Sequence, residues 1–200
     1  MIANGSDVLV LPKPSVALAW HNKEGKVLEQ TQGEPCPAYT VLVDGTELFL
    51  FENEFSVIKK ATRYVVGLLF DNERHYVVLI RKTHPEWQKG RLNGPGGHIE
   101  ENETPVVAMR REFREEAGLD VESWEEVVTI YNHSQYWEVT FLRAFGDVTA
   151  ITSMTDEEVQ VHSAGALPSN IITNLTWIIP LALDETGTVR PFRVEDRGGN

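Results

Sequence analysis

Glu112, Glu115 and Glu116 are spaced i, i+3 and i+4, so on a helix all three carboxylates project from one face. Like charges at those spacings repel, by roughly a few tenths of a kcal/mol per pair. Two of them also fall near the C-terminal end of the predicted helix, where the macrodipole disfavours anions. A divalent cation would turn the repulsion into coordination, and hard oxygen ligands suit Mg2+ or Mn2+. The same run also reads as a solvated face laced with ion pairs of the Arg111–Glu115 kind. Just upstream lies the glycine-rich stretch Asn93-Gly94-Pro95-Gly96-Gly97. Glycines let backbone approach a ligand closely. Taken alone the stretch is an ordinary turn, and it lacks the Gly-Lys-Ser/Thr ending of a P-loop.

These groups need a scaffold to hold them. The helix is predicted over Pro105–Ala117. Thr104 is a favoured N-cap, Pro105 suits the first helical position and Gly118 suits the stop. Val106, Met109, Phe113 and Ala117 share a face that should pack on a sheet. Strand-like runs at 64–70 and 75–80 flank a polar turn at 71–74, and further strands are expected at 126–131, 136–144 and around 159–162. A last helix is expected within 170–183, where Pro180 would kink or end it. Mixed strands with two helices predict an α/β sandwich over 59–200.

Residues 1–58 read as a β-rich extension of hairpins. One is expected from runs at 16–20 and 26–29 around a Gly25 turn. The other joins 39–43 to 47–51 through Asp44-Gly45, a strong two-residue turn signal. An isolated hairpin is marginal in water, so the extension is expected to pack on the main domain or across a two-fold homodimer.

The composition of the 200-residue chain, 42% hydrophobic and 24% charged, is that of a soluble globular protein. Cys36 is the sole cysteine, which suits a reducing compartment. The first residues do not read as a signal peptide, and no apolar run approaches the ~20 residues of a membrane span. These features point to a cytoplasmic protein without a membrane partner. A net charge of −12 argues against a nucleic-acid polymer as partner. It leaves room for a phosphorylated small molecule held by local cations and a metal.

Residues 97–119 resemble the Nudix box. Gly97 is followed by five residues and Glu103, then by seven residues and Arg111-Glu112-Phe113, Arg114, Glu115-Glu116, Ala117, Gly118 and the apolar Leu119. Seven fixed positions at about 6–7% each put a chance match below about one in a million. Flanking features extend the resemblance from about Arg63 to Leu183. It implies a Nudix-type α/β/α sandwich with a mixed sheet, and a Mg2+- or Mn2+-dependent enzyme that cleaves the pyrophosphate linkage of a small nucleotide. By position, Glu112, Glu115 and Glu116 match the metal-binding carboxylates and the Gly97 carbonyl a further ligand. Glu103 and Arg111 match a structural pair. Glu158, just before a strand, matches a place where relatives carry one more acidic residue. Glu112 is the candidate general base, with Glu115 or Glu158 as alternates.

The resemblance also implies substrate contacts. Arg81 and Lys82 end a strand where relatives place a phosphate-binding cation, and Arg81 is taken for that role. Asn93 matches a base-reading Asn of an oxidised-purine triphosphatase, and Asn170 or Asn174 a base-contacting position of MutT-type enzymes. Asn offers both donor and acceptor to a purine edge, though it is as common in turns and caps. His98 replaces a Lys common in relatives, and Leu92 stands where the oxidised-purine enzyme has Trp. The proline expected downstream in typical ADP-ribose pyrophosphatases is missing. The expected reaction is hydrolysis of a purine nucleoside triphosphate, oxidised or not, to monophosphate and pyrophosphate. An ADP-ribose or nucleotide-sugar pyrophosphatase is the alternative, and a non-catalytic nucleotide-binding regulator comes third.

Overall fold

The computed structural model describes residues 6–11, 16, 20, 23–31, 38–51, 54–57, 61–132, 135–184, 186 and 191–197. They fall into two compact units, 1–60 and 61–200.

In the first unit, β1 (Asp7–Val10), β2 (Glu24–Thr31), β3 (Ala38–Val43), β4 (Thr46–Phe51) and β5 (Phe55–Val57) form one antiparallel sheet in the order β4-β3-β2-β1-β5. Asp44 and Gly45 join β3 to β4 with φ of 47° and 78°, the two positive angles that match a hairpin turn to strand twist. Gly25 does not turn the chain. It lies inside β2 opposite Val8, where pairing to β1 on one side and β3 on the other holds the strand extended. Of the expected 16–20 strand, 17–19 lie outside the described residues. Alternate side chains of β1 and β3, including Val8, Val10, Tyr39, Val41 and Val43, gather in one buried cluster with Val27, Leu50 and Phe55. This is a five-stranded sheet with its own apolar face, more than the two hairpins that the turn signals foretell.

The second unit contains β6 (Thr62–Phe70), β7 (Tyr76–Arg81), β8 (Leu92–Asn93), α1 (Pro105–Ala117), β9 (Glu125–Asn132), β10 (Trp137–Phe145), β11 (Glu158–Ser163), α2 (Leu175–Ala182) and β12 (Phe192–Glu195). The sheet order is β11-β7-β6-β10-β9-β12, with β8 on β7. It is mixed, because β10 runs parallel to β6 and β12 parallel to β9. Its central strands are apolar on both faces because a helix covers each. On one face Val65, Leu69, Val78, Leu142 and Ala144 pack with Ala108, Met109, Phe113 and Ala117 of α1. On the other, Val66, Leu68, Val77 and Leu79 pack with Leu175, Ile178, Ile179 and Ala182 of α2. The unit is an α/β/α sandwich. Among the described residues no helix is long and apolar enough to cross a membrane.

One irregularity makes room for a site. β6 and β7 pair only next to their turn, at Phe70 and Val77. Further along, the glycine stretch takes β7's place beside β6, with Gly67 N donating to Pro95 O at 2.8 Å, Val65 N to Gly97 O at 2.9 Å and Ile99 N to Arg63 O at 2.9 Å. The outer end of β7 pairs instead with β8 and β11.

Candidate active site

Local sequence sets α1. The Thr104 hydroxyl accepts the Val107 N–H at 3.3 Å, and Gly118 closes the helix with φ 67°. Phe113 and Ala117 anchor one face in the core, which leaves Glu112 and Glu116 leaning on the glycine stretch. There the stretch lies against the Glu112 carboxylate on one side and the β6 backbone on the other. A Cβ on Gly97 would stand 2.5 Å from Glu112 Oε1, and one on Gly96 would stand 2.1 Å from the Val65 carbonyl oxygen. At Gly96, where the neighbour is backbone, only glycine fits. Gly96 N donates to Glu116 Oε2 at 2.7 Å, so the helix carboxylate is tied to the loop backbone.

Arg111 organises the entry to this contact. Its Nε and Nη2 grip the two Glu103 oxygens at 2.9 Å each, and Nη2 also reaches the His98 carbonyl at 2.9 Å. Nη1 lies 2.7 Å from Glu112 Oε1 and 3.4 Å from Glu115 Oε2. The Arg111 hydrogen bonds pull the Glu103 carboxyl down to about 2. Three carboxylates therefore share one guanidinium.

On the far side of Glu116 stands a pair that strand pleating selects. Val78 packs against α1, while Val77 and Leu79 pack on the α2 side. Continuing that alternation turns Lys82 toward α1 and Arg81 away from it. In β11, Val159 packs on the α1 side, so Glu157 shares that face and Glu158 does not. The contacts agree. Lys82 Nζ hydrogen-bonds Glu157 Oε2 and lies 3.6 Å from Glu116 Oε1. Glu157 also accepts the Thr83 N–H at 2.6 Å. Burial pushes the Glu157 carboxyl up, but Lys82 and the Thr83 N–H outweigh it and hold the group below its ordinary range. Glu116 goes the other way. Burial raises it, Lys82 and the Gly96 N–H only partly compensate, and the neighbouring Glu157 and Glu112 charges add to the rise.

The residues nominated from sequence divide accordingly. Glu112 and Glu116 come together, each with a side chain only 14% exposed. Glu115 is turned out to solvent at 55%, since a residue three along from Glu112 lies further round the helix than Glu116. The Gly97 carbonyl, nominated as a metal ligand, is taken up by the Val65 N–H. Glu158 is 64% exposed, accepts from Gln160 Nε2 at 2.6 Å and lies 3.7 Å from Arg81 Nε. Both Glu158 and Arg81 thus face away from α1, whereas Glu157 and Lys82, the second of which the sequence offers alongside Arg81, face it. Nothing in the run Asp156-Glu157-Glu158 distinguishes the two glutamates except the apolar Val159, which shares the parity of Glu157.

Asn93 sits opposite Ile80 on the α1 side. Its amide donates to Gln88 Oε1 at 3.2 Å and its Oδ1 accepts the Gly94 N–H at 2.9 Å, so it shapes its own loop. His98 packs on the Tyr64 ring at 4.4 Å. Asn170 donates to the Gly90 carbonyl at 3.0 Å, and its own carbonyl accepts the Leu92 N–H, which stitches the 82–93 loop to the approach of α2. Asn174 starts α2, and its buried Oδ1 has no hydrogen-bond partner among the described residues.

The donor set fits a hard divalent cation. Glu112, Glu116 and Glu157 supply carboxylate oxygens beside the glycine stretch, and Glu116, raised chiefly by burial, is a buried group whose charged form such a cation would favour. Among the described residues no three acidic, His or Cys side chains yet stand close enough to share one ion. Glu112 leans on Arg111, and Lys82 lies between Glu116 and Glu157, so joint coordination calls for side-chain rotation.

Fold and site together define an α/β/α sandwich whose carboxylate helix is docked on a glycine-rich backbone wedged into the sheet. The pattern of the NUDIX domain family matches residues 60–174, and the chain belongs to that family. A curated relative from Danio rerio, 8-oxo-dGDP phosphatase NUDT18, is 28% identical over 107 residues, 52% of this chain and 33% of its own. A second, 8-oxo-dGTP diphosphatase of Proteus vulgaris, is 37% identical over 65 residues, 32% of this chain and 55% of its own. The chain thus spans about a third of the first relative's length and about half of the second's. Among solved structures, a NUDIX hydrolase from Nitrosomonas europaea superimposes with a TM-score of 0.54 at 16% identity, covering 86% of this chain and 96% of the other. That likeness speaks for the fold.

Proposed function

We propose that this protein hydrolyses the phosphoanhydride of a purine nucleoside di- or triphosphate, with oxidised guanine nucleotides as the preferred class. The observation that carries the reading is the meeting of Glu112, Glu116 and Glu157 beside the Gly96–Gly97 backbone, with Lys82 among them. A divalent cation bound there, Mg2+ or Mn2+, would neutralise phosphate oxygens and lower the pKa of an attacking water. Water adds at phosphorus, one P–O anhydride bond breaks, and the leaving phosphate carries off the electron pair. Glu112, which lies against Gly97 and contacts Arg111, would accept the water's proton on this reading. Glu116 is fixed by the Gly96 N–H, and Lys82 brings positive charge to the phosphate side.

The base class is proposed from the comparisons. The relatives' named activities on 8-oxo-dGDP and 8-oxo-dGTP favour it. A comparison of kcat/KM decides, using 8-oxo-dGDP, 8-oxo-dGTP, dGTP, ADP-ribose and a nucleotide sugar in Mg2+, with EDTA as control. Oxidised guanine nucleotides should lead and EDTA should abolish turnover. An ADP-ribose value more than about tenfold above every guanine nucleotide, worth about 1.4 kcal/mol in transition-state binding, rejects the base class and leaves the metal-dependent chemistry standing. Binding of nucleotide without any turnover rejects the chemistry itself.

A further inference from the structure

Lys82 is an unusual neighbour for a cation site. Its side chain is only 12% exposed, and its ammonium hydrogen-bonds Glu157 while standing 3.6 Å from Glu116. Arg111, a second cation in this region, is engaged by Glu103, Glu112 and Glu115, and the exposed His84 imidazole lies 3.8 Å from Glu157 Oε1. For Glu116 and Glu157, Lys82 is therefore the principal positive charge. A divalent ion drawing oxygens from both would sit about 2.0–2.1 Å from each, in the space between them that the ammonium addresses. Two cations at that separation repel strongly in a site shielded from solvent. A lysine on a flexible four-carbon stem can leave, whereas a backbone N–H such as that of Gly96 cannot.

We propose that Lys82 is a built-in competitor of the divalent ion: ammonium and metal are alternative counter-charges for Glu116 and Glu157, and metal binding displaces Lys82 toward the phosphate side. The inference rests on the metal reading above and adds to it a defined exchange. It runs against the simpler view that Lys82 helps metal by holding the two glutamates in place. On that view its removal weakens metal binding; on the exchange it strengthens it. The acidic carboxylates cannot distinguish the two views, because losing any of them weakens binding either way.

The test measures Mn2+ binding to the full chain without nucleotide, by calorimetry or by the electron paramagnetic resonance of free Mn2+, alongside thermal melting with and without the ion. Lys82→Met should melt lower than wild type in chelator, since it strands two carboxylates. It should nevertheless bind Mn2+ on the order of tenfold more tightly, the size of effect that groups adjoining metal ligands exert. The Mn2+-induced rise in melting temperature should be larger than in wild type. Equal or weaker Mn2+ binding by folded Lys82→Met overturns the exchange. Should that variant fail to fold in chelator, Lys82→Arg carries the test. Its planar fork can grip both carboxylates, so it should bind Mn2+ more weakly than wild type, and equal or tighter binding overturns the proposal. Wild type that binds no Mn2+ at all overturns the metal reading together with the exchange.

Discussion

Two cation–carboxylate pairs stand side by side where β7 ends and β11 begins, Arg81–Glu158 in the last register and Lys82–Glu157 just beyond it, and they differ in nearly every physical respect. Lys82 and Glu157 face α1, at 12% and 3% exposure, and share their charges with Glu116. Arg81 and Glu158, one residue along in opposite directions, face away from α1 at 42% and 64% exposure and only 3.7 Å apart at best. The same residue classes thus make a buried charge cluster on one side of the pleat and a solvent-screened contact on the other. Burial, not sequence chemistry, sets what each can do. Removing one partner of a buried pair leaves a charge stranded in low dielectric, while exposed pairs contribute little.

The contrast can be broken or sharpened by substitution. The largest effect is expected on turnover. Glu116→Gln should lower kcat/KM by about two to three orders of magnitude, as loss of a group that organises transition-state charge does. Folding should be spared, because the change relieves like-charge crowding on α1. Turnover per folded molecule that survives this change removes the inward cluster from the chemistry. Next comes stability. Glu157→Gln should cost about 3 kcal/mol, read as a drop of several degrees in Tm for a chain of this size. Glu158→Gln should cost less than about 1 kcal/mol. Equal shifts for the two would show that the pleat does not separate them as described.

A third effect concerns the guanidinium that the inward cluster leans on. Glu103→Gln removes the ionic grip on Arg111 and should cost about 1.5–3 kcal/mol near neutral pH. The folded Glu103 carboxyl, at about 2, lies below its ordinary 4.5. A depressed carboxylate stabilises the fold above the unfolded value and loses that contribution as pH falls through the folded one. The Tm gap between wild type and Glu103→Gln should therefore be full above about pH 4.5 and shrink toward pH 2. A gap independent of pH would assign the effect to packing instead of charge. Smallest of all, Gln160→Ala removes a neutral donor from the exposed Glu158 and the Oε1 contact to His162 Nε2, and should change stability by less than about 0.5 kcal/mol.

Much of the architecture can be read in advance where it depends on neighbours in sequence. Thr104, Pro105 and Gly118 bracket α1 because capping is a local transaction, and the i, i+4 spacing puts Glu112 and Glu116 on one face wherever that helix docks. Asp44-Gly45 makes its turn for the same reason. Gly25 shows the converse. One glycine without a turn partner is overruled by strands on both sides.

Helical faces, then, follow from the chain alone, since 3.6 residues per turn fixes neighbours at i+3 and i+4. Which of two successive strand residues points inward does not. In β7 the run Val77-Val78-Leu79-Ile80 is fully buried on both faces, so hydrophobicity cannot tell Arg81 from Lys82, and in Asp156-Glu157-Glu158 it scarcely tells the glutamates apart. The choice is made by the docking of α1 on Val65, Val78 and Leu142 and by the glycine stretch that displaces β7 from β6. The sequence by itself determined the family's helix and the carboxylates it carries. Tertiary packing alone decided which cation and which extra glutamate meet them, because strand parity has no meaning until a sheet has an inside.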